Sequence, residues 1–123
     1  MGTILVIDDE EAILEMLRLV LTKFGYHVVL AADGKEGIQQ FENGNFDLVI
    51  TDIFMPEMDG NHVADHIRHS DRYFTPIIGI SGTPWLGDDG SFSMVLPKPF
   101  SIKRLIESVK QLTAFSRNAT AVG

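Results

Sequence analysis

The strongest constraint on this chain is an alternation. Short runs of strand-favouring residues take turns with segments whose apolar residues recur at helical spacing. Thr3 to Ile7 is the first such run. It leads through Asp8, Asp9, Glu10 and Glu11 into a segment with Ile13, Leu17, Val20, Leu21 and Phe24 on one face. Acidic residues suit a first helical turn, and Gly25 is placed to end the helix. His27 to Ala31 predicts a second strand. Asp33 with Glu36 resembles a capping box ahead of a second helix that closes near Asn43 and Gly44.

Phe46 to Thr51 reads as a third strand, with Leu48, Val49 and Ile50 apolar in succession, as in a strand covered on both faces. Asp52 follows at its C-terminal end. After the loop from Met55 to Gly60, a third helix is expected over Asn61 to His69 with Val63 and Ile67 inward. Pro76 to Ile80 and Ser93 to Leu96 read as strands four and five. Ser101 is a candidate N-cap for a last helix with Ile102, Leu105, Ile106, Val109 and Leu112 inward. Strands alternating with helices imply a parallel sheet wound on both faces, because right-handed crossovers place helices there.

At 123 residues the chain suits one domain with one core. That domain is expected to span residues 1–115, with the small, polar positions 116–123 as a flexible C-terminal tail. No apolar run approaches the roughly 18 residues that cross a bilayer, and no signal segment opens the chain, so a soluble, cytoplasmic protein without a membrane partner is expected. A net charge of −7 opposes a surface that neutralises nucleic-acid phosphates. With no cysteine, its chemistry must use oxygen and nitrogen groups.

Open parallel sheets bind ligands beyond the carboxyl ends of their strands. The ends of strands one, three, four and five carry Asp8 and Asp9, Asp52, Ser81 and Lys98. Singly, these are ordinary capping, turn and loop residues; jointly, they mark one end of the sheet. Carboxylates about 4 Å apart repel by roughly 4 kcal/mol per pair at an effective dielectric of about 20. Either one carboxyl is protonated through a raised pKa or a cation compensates. Three oxygen donors with an open, wet face suit Mg²⁺, and Lys98 offsets one charge. Such a site favours phosphoryl transfer to a carboxylate, with Mg²⁺, Lys98 and the Ser81 hydroxyl stabilising the equatorial oxygens. Asp52 is the best nucleophile, since it stands alone at a central strand end. Asp8 and Asp9 are better disposed to hold a metal.

The runs Ile4-Leu5-Val6-Ile7-Asp8-Asp9-Glu10, Asp47-Leu48-Val49-Ile50-Thr51-Asp52, Met55-Pro56-Glu57-Met58-Asp59-Gly60 and Lys98-Pro99-Phe100 resemble the signature of response-regulator receiver domains of two-component, phosphorelay signalling. The resemblance spans nearly the whole chain. It implies a flavodoxin-like, doubly wound, five-stranded parallel sheet in strand order 2-1-3-4-5, as in the chemotaxis receivers. It also implies that Asp52 is the phosphoacceptor, Asp9 a direct Mg²⁺ ligand, and Asp8 a ligand acting mainly through water. The Phe54 backbone carbonyl would complete the metal's protein ligands. Ser81 takes the hydroxyl switch position, Lys98 contacts the phosphoryl group, and the Lys98-Pro99 bond is often cis. The implied donor is a histidine kinase or histidine phosphotransfer protein. The chain would be a signalling domain rather than an enzyme, its output partner unidentified.

Two features depart from the family. Val95 stands three residues before the lysine, where receivers usually carry an aromatic residue that swings inward. A valine cannot make that swing. Between Ser81 and Ser93, the segment from Gly82 to Phe92 holds Pro84 and three glycines in eleven residues, a poor helix. The fourth helix is therefore expected to be shortened or missing, with Trp85 and Leu86 packing over the gap or marking a partner surface. These departures keep one alternative open: a receiver-like interaction module with little or no phosphorylation-driven switching. A flavin protein would need a phosphate cradle after strand one, and the acidic run opposes it. A Mg²⁺-dependent phosphohydrolase would offset its two aspartates and carry a substrate lid. Phe54, two residues past Asp52, falls where receivers tune water access, and its bulk is expected to shield an acyl phosphate. His62, His66 and His69 share helical spacing, which could suggest a second metal site, but they read as an exposed polar face, since no acidic or Cys ligand is arranged with them except Asp65, which is expected to point elsewhere.

Overall fold

A computed structural model describes residues 2–83 and 90–122, with side chains of the last helix described to position 114. Nine elements follow in order: β1 (Thr3–Ile7), α1 (Glu11–Lys23), β2 (His27–Ala31), α2 (Gly34–Asn43), β3 (Leu48–Asp52), α3 (Gly60–Arg68), β4 (Ile77–Ser81), β5 (Met94–Pro97) and α4 (Ile102–Val122). The strands form one parallel sheet ordered β2-β1-β3-β4-β5, with Ile7 opposite both Ala31 and Thr51, Asp52 opposite Ile80, and Ser81 opposite Pro97. This is the expected topology. The last helix, α4, continues to Val122 through the segment read as a tail.

The sheet separates two cores. On one face Ile4, Val6, Ile50 and Ile80 pack beneath Leu17 and Leu21 of α1 and Leu105 and Val109 of α4. On the other, Leu5, Ile7 and Val49 meet Phe41 of α2 and Val63 and Ile67 of α3. Alternate residues of one strand thus feed both cores, which is why β1, β3 and β4 read as continuous apolar runs. Full burial of each such Ile, Leu or Val side chain contributes about 1.5–3 kcal/mol.

Local chemistry sets the element ends. The Asp33 side chain accepts the Glu36 backbone N–H at 2.8 Å while Glu36 accepts the Ala32 N–H at 3.1 Å, a capping box displaced by one residue. Ser101 caps α4 by accepting the Arg104 N–H at 3.2 Å. Gly25 takes φ 93° just past α1, where a side chain would be strained.

Among the described residues no helix stands between β4 and β5. Residues 84–89, and with them the expected packing of Trp85 and Leu86, lie outside the described residues. The part that is described shows what fills the space beside β4. Gly79 has no side chain, and a Cβ there would meet the Phe92 and Ile53 side chains at 2.9 Å. Phe92 therefore leans directly onto the sheet, and Arg68 fixes its neighbour by donating to the Ser91 carbonyl at 3.0 Å. The same guanidinium donates to the carbonyls of Tyr73 and Thr75 at 2.7 Å each, fastening the α3–β4 loop.

Candidate functional site

The C-terminal ends of β1, β3 and β5 converge on one acidic pocket. Asp8 closes β1, and its carboxylate accepts the Glu10 backbone N–H at 2.8 Å, which turns the chain into α1. Asp52 ends β3 and Lys98 follows β5. Lys98 Nζ lies 3.2 Å from Asp52 Oδ2, 3.2 Å from Glu10 Oε1 and 3.9 Å from Asp8 Oδ2. The Lys98-Pro99 bond after it is cis.

One ammonium therefore faces three carboxylates, two of them buried. Burial pushes the Asp8 carboxyl up to about 6; the Glu10 N–H and Lys98 oppose this, and the charges of Asp52 and Asp9 add to it. Asp52 is also raised, chiefly by burial, against the pull of Lys98. Burial alone would lower Lys98, but Asp8, Glu10 and Asp52 together raise it, so it stays a cation.

Asp8 Oδ2 is buried without a hydrogen-bond partner. Ligating oxygens of Asp8, Glu10 and Asp52 lie within 4.8 Å of one another. An orphaned carboxylate oxygen inside an excess of negative charge is what a hard divalent cation would satisfy, so the pocket could hold a metal.

The remaining expected residues are placed as follows. Ser81 ends β4, fully buried, and its Oγ accepts the Thr83 N–H at 3.0 Å. Its carbonyl accepts the Lys98 N–H at 2.8 Å, so hydroxyl and lysine belong to one strand pair. Asp9 is exposed and stands outside the close carboxylate group, although its charge reaches both Asp8 and Asp52. Phe54 gives its backbone N–H to Asp52, and its side chain is half exposed. Val95 is half-buried on β5 opposite Gly79. Glu10 was missed in the sequence because an acid after a strand reads as a helix-capping charge; its partner Lys98 is 88 residues away.

Sheet order and two-sided helices define a CheY-like flavodoxin fold, and the carboxylate–lysine pocket at its strand ends is consistent with phosphorylation. The sequence model of the response regulator receiver domain matches residues 4–110, and the chain belongs to that family of two-component signalling domains. It is 36% identical over 117 residues to the response regulator RR06 of Streptococcus pneumoniae, covering 89% of this chain and 52% of that protein. It is 33% identical over 119 residues to the alkaline phosphatase synthesis transcriptional regulatory protein PhoP of Bacillus subtilis, covering 89% and 47%. The chain thus spans about half the length of the curated relatives it matches.

Among solved structures, the chemotaxis protein CheY4 of Vibrio cholerae superimposes with a TM-score of 0.84 at 30% identity, covering 91% of this chain and 98% of that one. The response regulator TrrA of Thermotoga maritima, solved in complex with Mg²⁺-BeF, gives 0.83 at 37% identity, covering 91% and 99%. No described helix is long and apolar enough to cross a membrane.

Proposed function

We propose that this chain accepts a phosphoryl group on Asp52 from a phosphohistidine of a histidine kinase or histidine phosphotransfer protein, and signals by protein contact in the cytoplasm. The observation that carries this reading is the pairing of Lys98 Nζ with Asp52 Oδ2 at 3.2 Å, beside a second buried carboxylate, at the end of a central strand. An ionised Asp52 oxygen attacks phosphorus in line. The P–N bond breaks, the imidazole leaves with its electron pair, and an aspartyl phosphate remains. Lys98, already a cation, takes up charge on the transferred oxygens, and the Ser81 hydroxyl is the next donor along the sheet. Asp8, Asp9, Asp52 and the Phe54 carbonyl would hold Mg²⁺, with Glu10 an additional carboxylate at its edge. Bound there, Mg²⁺ supplies charge neutralisation for the phosphoryl oxygens.

Residues 1–115 form the receiver domain in this reading, and the signal leaves by a protein partner rather than by nucleic acid. Mixing the chain with a phosphorylated histidine phosphotransfer protein should move the label to it in Mg²⁺ and leave it on the donor in EDTA. Transfer that persists in EDTA would contradict the Mg²⁺ dependence. Phe54 is expected to slow the reverse loss of phosphate by shielding the acyl phosphate with its half-exposed ring. Phe54→Asn should then release phosphate several-fold faster after loading with a small phosphodonor, and equal rates would rule the shielding out.

A further inference from the structure

A second cleft, of about 840 Å³, opens between α2 and α3. Glu42 of α2 lines it together with His62, Asp65, His66 and His69 from α3 and the turn that follows. None of these residues belongs to the strand-end site. The structure gives each histidine an acidic neighbour. His66 Nε2 lies 2.8 Å from Glu42 Oε1 across the two helices. His62 Nδ1 lies 3.2 Å from Asp59 Oδ1, and His69 Nδ1 3.4 Å from Asp65 Oδ1. Asp65 therefore faces this surface, contrary to the expectation that it points elsewhere.

We propose that His62, His66 and Glu42 form a binding site for a divalent transition-metal ion of the zinc, nickel and copper class, bridging α2 and α3. His62 and His66 are one helical turn apart and project from the same face. The contact to Asp59 occupies His62 Nδ1 and leaves Nε2 to ligate. His66 Nε2 and Glu42 Oε1, 2.8 Å apart as an ion pair, would open to roughly 3.3 Å on a tetrahedral zinc with bonds of about 2.0–2.1 Å, a small movement for a Glu42 side chain that is 60% exposed. The close carboxylate group of the strand-end site is the only described set of three ligating atoms within 4.8 Å of one another, so His62 must swing toward His66 as the ion binds. Its side chain is 68% exposed, and the swing gives up the 3.2 Å contact to Asp59.

Ligand chemistry sorts the two sites. Imidazole nitrogens favour zinc, nickel and copper, whereas an all-oxygen pocket favours Mg²⁺. An ion bound in the cleft would tie α2 to the helix whose first residue, Gly60, donates its N–H to the Ile53 carbonyl at 2.7 Å, directly after Asp52.

The test is a Zn²⁺ titration of the full chain in excess Mg²⁺, which keeps the strand-end carboxylates filled, followed through the NMR signals of the four histidine rings. One equivalent of Zn²⁺ should shift His62 and His66 and leave the exposed His27 of β2 unmoved. His62→Ala and His66→Ala should each weaken binding by at least about tenfold, no less than the loss of an outer-shell partner costs. Glu42→Gln should weaken it less. Zn²⁺ shifts confined to the strand-end loops, or an affinity unchanged in the His62→Ala/His66→Ala double variant, would overturn the proposal. Both histidines line an open surface, so these variants are expected to fold, and unchanged Asp52 loading would show that they do.

Discussion

Asp8→Asn is expected to make the metal-free protein more stable near neutral pH, by about 2–3 kcal/mol. Burial pushes the Asp8 carboxyl up to about 6 in the folded chain from an ordinary carboxylate value of 3.8, so ionising it in the fold costs about 1.4 kcal/mol for each of roughly two pKa units. Between those two values the folded state binds more protons than the unfolded state. Stability is then fully present below about pH 4 and is lost as pH rises through about 6. Asp52, also raised, acts with the same sign. Urea unfolding in a chelator should show wild type weakening over this window and Asp8→Asn changing much less. Mg²⁺ should recover stability in wild type by binding the folded state alone, and should do less for the variant. A variant less stable than wild type at neutral pH would mean that the buried carboxylate is satisfied without a cation.

The second large effect is predicted at Gly60→Ala. Gly60 opens α3, directly under the end of β3. A Cβ there would overlap the Asp52 carbonyl oxygen and lie 2.8 Å from Ile53 Cα. Both are main-chain atoms of a fully buried segment and cannot rotate away. Relief requires moving α3 or the end of β3, so a loss of about 3 kcal/mol is expected, with impaired loading of Asp52. Gly37→Ala is the contrast. Its Cβ would meet the side chain of the buried Ile7 rather than main-chain atoms, so the loss should be smaller, about 1–2 kcal/mol. Equal urea midpoints for Gly60→Ala and wild type would contradict the close packing at Asp52.

Most of the architecture was legible because it is written locally. The Asp33 and Glu36 pair, Ser101 and Gly25 end their helices through bonds to near neighbours or backbone conformation, and the apolar runs of β1, β3 and β4 report burial on both faces. Periodicity was less reliable about how far a partner covers a helical face. Phe24 and Ile102 both lie on expected inward stripes, yet each is about two-fifths exposed, and Phe24 packs its ring under Lys110 instead.

The strand-end rule picked out Asp8, Asp52 and Lys98, which the structure brings into one pocket, and Ser81 at the end of β4. What it could not see were partners brought from distant segments. Glu10 reaches Lys98 across the pocket, and Glu42 reaches His66 from another helix. Nothing in the spacing of His62, His66 and His69 points to α2. Similarly, Val95 signalled that the usual aromatic was missing, but only the fold shows Phe92 resting on Gly79 beside Ile53.

Loading the protein with a small phosphodonor in Mg²⁺, then locating the modification by mass spectrometry, tests the central claim most directly. One acid-stable, base-labile phosphoryl group should form on Asp52 and be absent from Asp52→Asn. Undiminished incorporation in Asp52→Asn, or none in the wild-type chain with Mg²⁺ present, would contradict the assignment of Asp52 as phosphoacceptor.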